Sequence, residues 1–312
     1  ICNDDDNDSN DMLLRKIFTT VPWVTKQYQG PKALRLHEEL IDFYNFAKQT
    51  PSELAQREII IKQVQDICLE VDPTCTFELF GSYPSELMIP GSDLDVHVMS
   101  ELEPKAFLTR VHDAVKRKRF ASKIEKVLSA RVPIVKFVES TTGQNIDISC
   151  NTKNNVKLAV QTVKKFSQSF PQFKYLALFL KYFLRQRGLN EVFSGGLSSF
   201  GLSLMIISHL QMHSCNMSES DARITTLGTL LLDFFALYGL YFNYRNVGID
   251  VRRGGIYVAN PNDKKNQMLQ LYVIDPNDFT NNVTKGTTNV AGIRHAFQHA
   301  FSSLTAADSQ FT

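Results

Sequence analysis

Three aspartates and one Gly-Ser turn are the residues of this 312-residue chain whose types and spacing could do chemistry: Gly81-Ser82, the pair Asp93 and Asp95, and later Asp147. The run Thr76 to Phe80 is short, apolar and β-prone, so Gly81 and Ser82 fall where a strand ends and the backbone turns with its N–H groups free. Such groups cradle phosphate oxygens. Along Asp93-Leu94-Asp95-Val96-His97-Val98 side chains alternate, which sets both carboxylates on one face while Leu94, Val96 and Val98 anchor the other. Two close carboxylates repel unless a cation joins them. Hard Mg²⁺, with Mn²⁺ as a substitute, takes oxygen ligands and keeps positions open for substrate phosphates. Asp147, on the second alternating stretch Gln144 to Ser149, supplies a third carboxylate opposite in face to Ile146 and Ile148. Asp93, Asp95 and Asp147 are therefore the candidate catalytic and metal-binding residues. Two metals about 3.5–4 Å apart would activate a 3′-hydroxyl on one side and stabilise a leaving pyrophosphate on the other, with Asp147 expected on the hydroxyl-side metal alone. An isolated Asp-x-Asp is an ordinary strand end. The Gly-Ser turn, the pair and the later aspartate in this order are what make the reading specific.

The elements that must position these groups can be read on either side. Leu34, Leu36, Leu40, Ile41, Phe43, Tyr44 and Phe46 recur at roughly helical spacing, and Pro51-Ser52-Glu53 opens a second helix that carries Ile59 to Leu69. After the aspartate pair, Phe107 to Val115 reads as a helix ending in Lys116-Arg117-Lys118-Arg119, either a solvated helix end or an RNA-facing patch. Arg131 to Phe137 reads as a strand with Pro133 near its start, and the turn Thr141-Thr142-Gly143 leads into the Asp147 strand as a hairpin that closes the sheet. From Val156 the pattern is helical over 156–166, 175–187, 199–212 and 227–238, then strand-like from Leu271 to Ile274, a polar loop over 275–288, and a last helix from Val290 to Leu304. No internal repeat is visible.

Length allows about two domains, and 43% hydrophobic residues is ordinary for a globular chain. No run of 18 apolar residues occurs and the N-terminus is polar and acidic, so neither a membrane partner nor a secretory signal is expected. Cys2, Cys68, Cys75, Cys150 and Cys215 are odd in number and form no C-x-x-C, which argues against a disulfide framework or zinc site and for a reducing compartment. Asp4, Asp5, Asp6, Asp8 and Asp11 crowd the first eleven residues, which read as part of a disordered acidic tail. Without those five the formal charge would rise from +2 to +7, a mildly basic body suited to a polyanion.

With these residues in view, the chain resembles the DNA polymerase β-like nucleotidyltransferases, and among them it is similar to the TRAMP-type nuclear poly(A) polymerases over about residues 20 to 305. The resemblance rests on Pro22-Trp23, on Phe80-Gly81-Ser82 with Pro90-Gly91-Ser92-Asp93-Leu94-Asp95, on Ala130 to Phe137, on Leu189 to Phe200, and on Ile274-Asp275-Pro276 through Asn281-Asn282-Val283. It implies an α+β architecture: a palm-like catalytic domain of mixed sheet and helices, a mainly helical central domain, and an active cleft between them. The domains would run 1–20 as the acidic tail, 21–50 as the first part of the central domain, 51–155 as the catalytic domain and 156–312 as the remainder of the central domain. The early helix near 33–49 should then pack with residues after about 160.

The same resemblance implies roles. Ser82, after Gly81, would contact triphosphate oxygens, Lys181 would neutralise phosphate charge, and Ser199 would sit near the nucleotide. Phe200 would stack on the base, many relatives having Tyr there, or else serve as a core aromatic. Arg185, one turn from Lys181, shares its face as a triphosphate wall or as an ordinary basic face. His209 and His213, and His295 and His299, have metal-compatible spacing but no third ligand, so satisfied helix histidines are expected; His97 reads as a buried strand residue beneath the site or as a catalytic group. Uridine-preferring relatives tend to carry His where this chain has Asn281, whose amide could pair with an adenine edge. Asp278 would hold that loop or touch the base.

The implied reaction is template-independent transfer of AMP from ATP to an RNA 3′ end, with a zinc-knuckle RNA-binding protein and an RNA helicase as partners, in nuclear RNA surveillance. The alternatives are a terminal uridylyltransferase and a catalytically inactive RNA-binding scaffold. No RNA-recognition motif, KH signature or zinc knuckle is visible, so poor processivity is expected of the chain alone.

Overall fold

The structure, a computed structural model, describes residues 21–24, 26–130, 132–151, 156–215, 225–261 and 269–306. The expected acidic tail over 1–20 and Arg131 lie outside the described residues. The chain divides into two compact units, one of residues 48–165 and the other of residues up to Ala47 together with those from Phe166 onward. The division falls at 47/48 and 165/166, beside the expected 50/51 and 155/156.

α1, Lys32–Ala47, belongs to the second of these and is taken up with it below. The 48–165 unit begins with α2, Pro51–Val71. Thr50 caps α2: its Oγ1 accepts from the Glu53 N–H at 3.2 Å while the Glu53 carboxylate accepts from the Thr50 N–H at 2.8 Å, and Pro51 fits the first helical position. β1 (Thr76–Phe80) and β2 (Leu94–Met99) follow, then α3 (Pro104–Arg117), β3 (Ala121–Val127), β4 (Ile134–Glu139) and β5 (Asn145–Cys150). The sheet order is β1-β2-β5-β4-β3, antiparallel except for the central β2/β5 pair. Parallel neighbours need a long crossover, and α3 with β3 and β4 provides it.

Alternation along the central strands divides the sheet into two faces. Leu94, Val96 and Val98 of β2, Ile146, Ile148 and Cys150 of β5, and Val135 and Phe137 of β4 form one core with Ile60, Val64 and Ile67 of α2 and Phe107, Leu108 and Val111 of α3. Each such aliphatic or aromatic side chain stabilises the unit by about 1.5–3 kcal/mol relative to exposure. The opposite face carries two rows that are polar at their centre: Phe80, Asp95, Asp147 and Lys136 are register partners from β1 to β4, and Glu78, His97, Ser149 and Ile134 form the row beside it.

The other unit is mainly helical. α4, Val156–Ser169, starts in the 48–165 unit and crosses the division at 165/166; α5 (Phe173–Arg185), α6 (Ser199–Cys215) and α7 (Leu227–Ala236) follow, α7 running on into a π-helical turn over Leu237–Tyr241. Two hairpins follow, β6 (Val247–Asp250) with β7 (Ile256–Ala259) and β8 (Ile274–Asp275) with β9 (Asp278–Asn282), and α8 (Val290–Thr305) closes the unit. α1 packs on α5 and α7. Phe43 of α1 touches Phe179 at 5.4 Å between ring centroids, and Gly228 lets α7 approach so closely that a Cβ there would lie 2.1 Å from the Ala33 carbonyl.

Four features differ from expectation. β3 was not foreseen because its sequence, Ala-Ser-Lys-Ile-Glu-Lys-Val, has polar residues in pairs and lies at a sheet edge, where charged side chains are tolerated. The β6/β7 hairpin was also not foreseen. The polar loop over 275–288 contains β9, whose Asp-Phe-Thr-Asn-Asn has no apolar face to announce a strand. The strand expected over 131–137 begins only at Ile134, after Pro133.

Candidate active site

The geometry starts from register. β2 and β5 are far apart in sequence but run parallel with Asp95 directly opposite Asp147. Adjacent positions across a ladder bring side chains of one face within contact range. Gly81, at φ +70°, ends β1 in a left-handed turn, and a Cβ at this position would lie 2.1 Å from Oδ2 of Asp95. The turn thus makes room for the carboxylate as well as exposing backbone. Ser82 is buried, and its carbonyl accepts from the Leu87 N–H at 3.0 Å, which folds the segment after the turn back on itself.

Asp93 stands one residue before β2. The turn behind it is fixed by Ser92, whose Oγ accepts from the Ile89 N–H at 3.1 Å while its own N–H donates to the Ile89 carbonyl at 3.0 Å. The structure therefore pairs Asp95 with Asp147 and places Asp93 at the entrance to the same strand. Among the described residues, no three Asp, Glu, His or Cys side chains are gathered into a ready metal cage.

A lysine that the sequence reasoning did not single out completes the row. Lys136 is the register partner of Asp147 on its other side, and its Nζ lies 2.6 Å from Asp147 Oδ2. Its signal was available: in Ile-Val-Lys-Phe a charge interrupts an apolar strand at the parity that faces the aspartates. Facing carboxylates need positive charge between or beside them, and the ammonium supplies some of it. The donor set, all carboxylate oxygen with a cation already attracted to it, fits a hard divalent ion held by Asp93, Asp95 and Asp147.

His97 lies in the next row, 3% exposed, with Nδ1 3.2 Å from Ser149 Oγ. Burial lowers its pKa and favours the neutral ring, as suits a residue buried on the same face beside the aspartate row. The basic cluster at the end of α3 is tied locally: Arg117 and Lys118 both pair with Glu70 of α2, Lys118 at 2.8 Å. His209 Nε2 donates to the Leu230 carbonyl at 2.9 Å and His213 lies 3.2 Å from Asp233, so both are satisfied within the helical unit.

The remaining candidates belong to the helical unit. Lys181, half-buried, and Arg185, exposed, are one turn apart on α5. Ser199 is the exposed first residue of α6 and Phe200 is half-buried beside it, while Ser198 Oγ accepts from the Gly201 N–H at 3.0 Å and so caps the helix. On β9, Asp278 accepts from the Thr280 N–H at 3.0 Å and from its hydroxyl at 2.7 Å, which holds the loop and lowers the Asp278 pKa. Asn281 is exposed, and its Nδ2 donates to Asp275 Oδ2 at 3.2 Å across the hairpin. Asp275, present in the recognised Ile-Asp-Pro segment, had been given no role of its own.

Comparison with known proteins agrees with this architecture. Residues 36–161 match the family model for the central palm domain of mitochondrial-like poly(A) RNA polymerase, and residues 226–281 match that for Cid1 family poly A polymerase. The chain is 32% identical to the poly(A) RNA polymerase cid14 of Schizosaccharomyces pombe over 96% of its own length and 45% of that protein's. It is 31% identical to the inactive non-canonical poly(A) RNA polymerase protein Trf4-2 of Drosophila melanogaster, over 88% of this chain and 69% of that one. Among solved structures, the polymerase core of TRAMP, an RNA surveillance complex, superposes with a TM-score of 0.82 at 31% identity, covering 92% of this chain and 94% of that one. Fold and carboxylate register together define a DNA polymerase β-like nucleotidyltransferase. Within that class the chain belongs to the TRAMP-type, non-canonical poly(A) polymerases. It spans about half or less of the length of the first curated relatives.

Proposed function

We propose that the chain transfers AMP from ATP to the 3′-hydroxyl of RNA without a template. The observation that carries this reading is Asp95 facing Asp147 in register, with the Gly81 turn closed against Asp95, in a chain of this family. Asp93, Asp95 and Asp147 would hold Mg²⁺, which when bound supplies charge neutralisation at the attacking and leaving oxygens. The residues of the chain do the rest. The Gly81-Ser82 turn offers backbone N–H groups to phosphate, Lys181 and Arg185 offer cationic charge, and Phe200 offers an aromatic face for the base.

Base choice follows from Asn281. Because Asp275 takes one hydrogen of its amide, the side-chain carbonyl and the second amide hydrogen remain for a ligand. An acceptor beside a donor complements the N6 amine and N1 of adenine. Uracil presents O4, an acceptor, where adenine presents the amine, so ATP is the expected donor and a uridylyltransferase the alternative.

RNA surveillance in the nucleus, with a zinc-knuckle protein and a helicase as partners, is the setting proposed for this activity. It is supported by the likeness to the TRAMP polymerase core. The decisive test is extension of a labelled single-stranded RNA by the purified chain with Mg²⁺ and each NTP in turn, beside an Asp93→Ala/Asp95→Ala double variant. ATP-selective extension lost in the variant is the expected result, and UTP-selective extension would transfer the proposal to uridylyl transfer. One relative is named inactive, so silence with every NTP, alone and with a zinc-knuckle partner, would favour the scaffold.

A further inference from the structure

A chain of hydrogen bonds that starts from a buried arginine stands behind the entrance to the two aspartate strands. Arg57 of α2 is 8% exposed, an unusual place for a guanidinium, and its Nη1 is buried without a hydrogen-bond partner. Its Nε donates to Oε1 of Gln144 at 3.2 Å. That bond decides which way the Gln144 amide faces, and Nε2 donates in turn to two carbonyls, Ser92 at 2.9 Å and Asn145 at 2.9 Å.

Those two carbonyls are not arbitrary. The Ser92 carbonyl lies in the same rigid peptide plane as the Asp93 N–H, immediately before β2. The Asn145 carbonyl begins β5, two residues ahead of Asp147. One amide group therefore ties the start of the strand that carries Asp93 and Asp95 to the start of the strand that carries Asp147. Gln144 is itself held at its backbone: its N–H donates to Thr142 Oγ1 at 3.2 Å and its carbonyl accepts from the Glu139 N–H at 2.8 Å. Glu139, buried, accepts from the N–H groups of Thr141 and Thr142 at 2.9 and 2.7 Å and so organises the hairpin tip from which Gln144 reaches out.

We propose that Arg57 and Gln144 are positioning residues for the catalytic carboxylates, Gln144 clamping the entrances of β2 and β5 and Arg57 fixing the orientation of its amide. This rests on the reading of Asp93, Asp95 and Asp147 as the cation-binding site. Both residues reach the carboxylates through the backbone at the strand entrances. Toward the carboxylates the ordering runs from Arg57 through Gln144 to the two strands, so the loss of Arg57 reaches the aspartates through Gln144.

The test uses the whole chain, four single variants, the Arg57→Met/Gln144→Met double variant and Asp93→Ala. Gln144→Met removes the clamp, Gln144→Glu keeps an acceptor for Arg57 but cannot donate to the carbonyls, Gln144→Asn keeps the amide with one methylene less reach, and Arg57→Met releases the amide. Mn²⁺ affinity without nucleotide or RNA, the thermal midpoint, and kcat and KM for RNA extension are measured for each. For Gln144→Met and Gln144→Glu we expect Mn²⁺ binding weakened about tenfold and kcat reduced by about 10–100-fold, with KM for RNA little changed, in line with the rate cost of sub-ångström to 1 Å misplacement. Gln144→Asn falls between them and the wild type, and this milder change keeps the test open if Gln144→Met does not fold. Arg57→Met added to Gln144→Met costs nothing further, the non-additivity of residues in one network. Wild-type Mn²⁺ affinity and kcat in a folded Gln144→Glu or Gln144→Asn protein, with Asp93→Ala inactive, would overturn the clamp. A wild-type chain whose extension is unaffected by Asp93→Ala would instead overturn the reading of the aspartates.

Discussion

Gly81→Ala is the substitution whose outcome the geometry fixes most tightly. A Cβ at this position meets Asp95 Oδ2 at 2.1 Å and Cγ at 3.0 Å, whereas ordinary contact begins at 3.4 Å, so the oxygen must withdraw by about 1.3 Å. Asp95 does so by turning its carboxylate, which keeps its backbone register opposite Asp147 but takes Oδ2 out of the position it holds against the turn. A misplacement of about 1 Å costs on the order of a hundredfold in rate, or about 2.7 kcal/mol of transition-state stabilisation at 1.36 kcal/mol per decade. Holding alanine at φ +70° costs a further 1–2 kcal/mol of folding energy, roughly, which a domain of ordinary stability survives. Single-turnover AMP addition to a short RNA, measured for the wild type, Gly81→Ala and Asp95→Ala, is the assay. The alanine variant should be folded, with a thermal midpoint lowered by a few degrees, and should approach the rate of Asp95→Ala. A folded Gly81→Ala protein within threefold of wild type would refute the argument that the turn exists to admit this carboxylate.

Lys136→Met removes the ammonium beside Asp147, and without divalent ions it should lower the thermal midpoint by about 2–4 °C, the effect of a partly exposed pair worth up to about 1 kcal/mol. Added Mg²⁺ should then raise the midpoint more in the variant than in the wild type, and equal shifts would count against the lysine as a counter-charge. Asn281→His should lower the ATP/UTP ratio of kcat/KM by at least about tenfold, and an unchanged ratio would remove Asn281 as the selector. His209 is 4% exposed and burial lowers its pKa from 6.5 to about 4, so the unfolded chain takes up a proton on acidification before the folded chain does. Its contribution to stability is therefore complete above about pH 6.5 and falls by about 3 kcal/mol as the pH drops to 4; urea titrations should show this slope and its loss in His209→Leu.

The catalytic aspartates were legible because strand alternation writes a face into the sequence, and the carboxylates interrupt apolar positions at a fixed parity. What alternation does not write is which strands are neighbours. The sequence of β5 says that Asp147 faces away from Ile146 and Ile148, but not that β2 lies beside it in parallel, with Asp95 rather than Asp93 or His97 opposite. Lys136 was overlooked for the same reason, since its significance is a register partner eleven residues away. β3 and β9 escaped because edge strands and short hairpins bury little and need no apolar face. Asn281 was found by resemblance, while its dependence on Asp275 required the folded hairpin.

Register also explains why so much polar structure is invested away from the carboxylates themselves. A slip of one residue between β2 and β5 would exchange Asp147 for Ile146 or Ile148 opposite Asp95 and turn the acidic face into the core. Apolar packing opposes such a slip, but it does not set the fine position of the residues before a strand begins, where Asp93 lies. That position is held by directional bonds instead: Ser92 to Ile89 within the turn, and Gln144 to Ser92 and Asn145 across it. Packing chooses the register and the hydrogen bonds at the strand entrances refine it. The side-chain bonds that fix Asp93 thus come from Ser92, its immediate neighbour, and from Gln144 on the β5 side, and their loss should be felt first in cation binding and only later in stability.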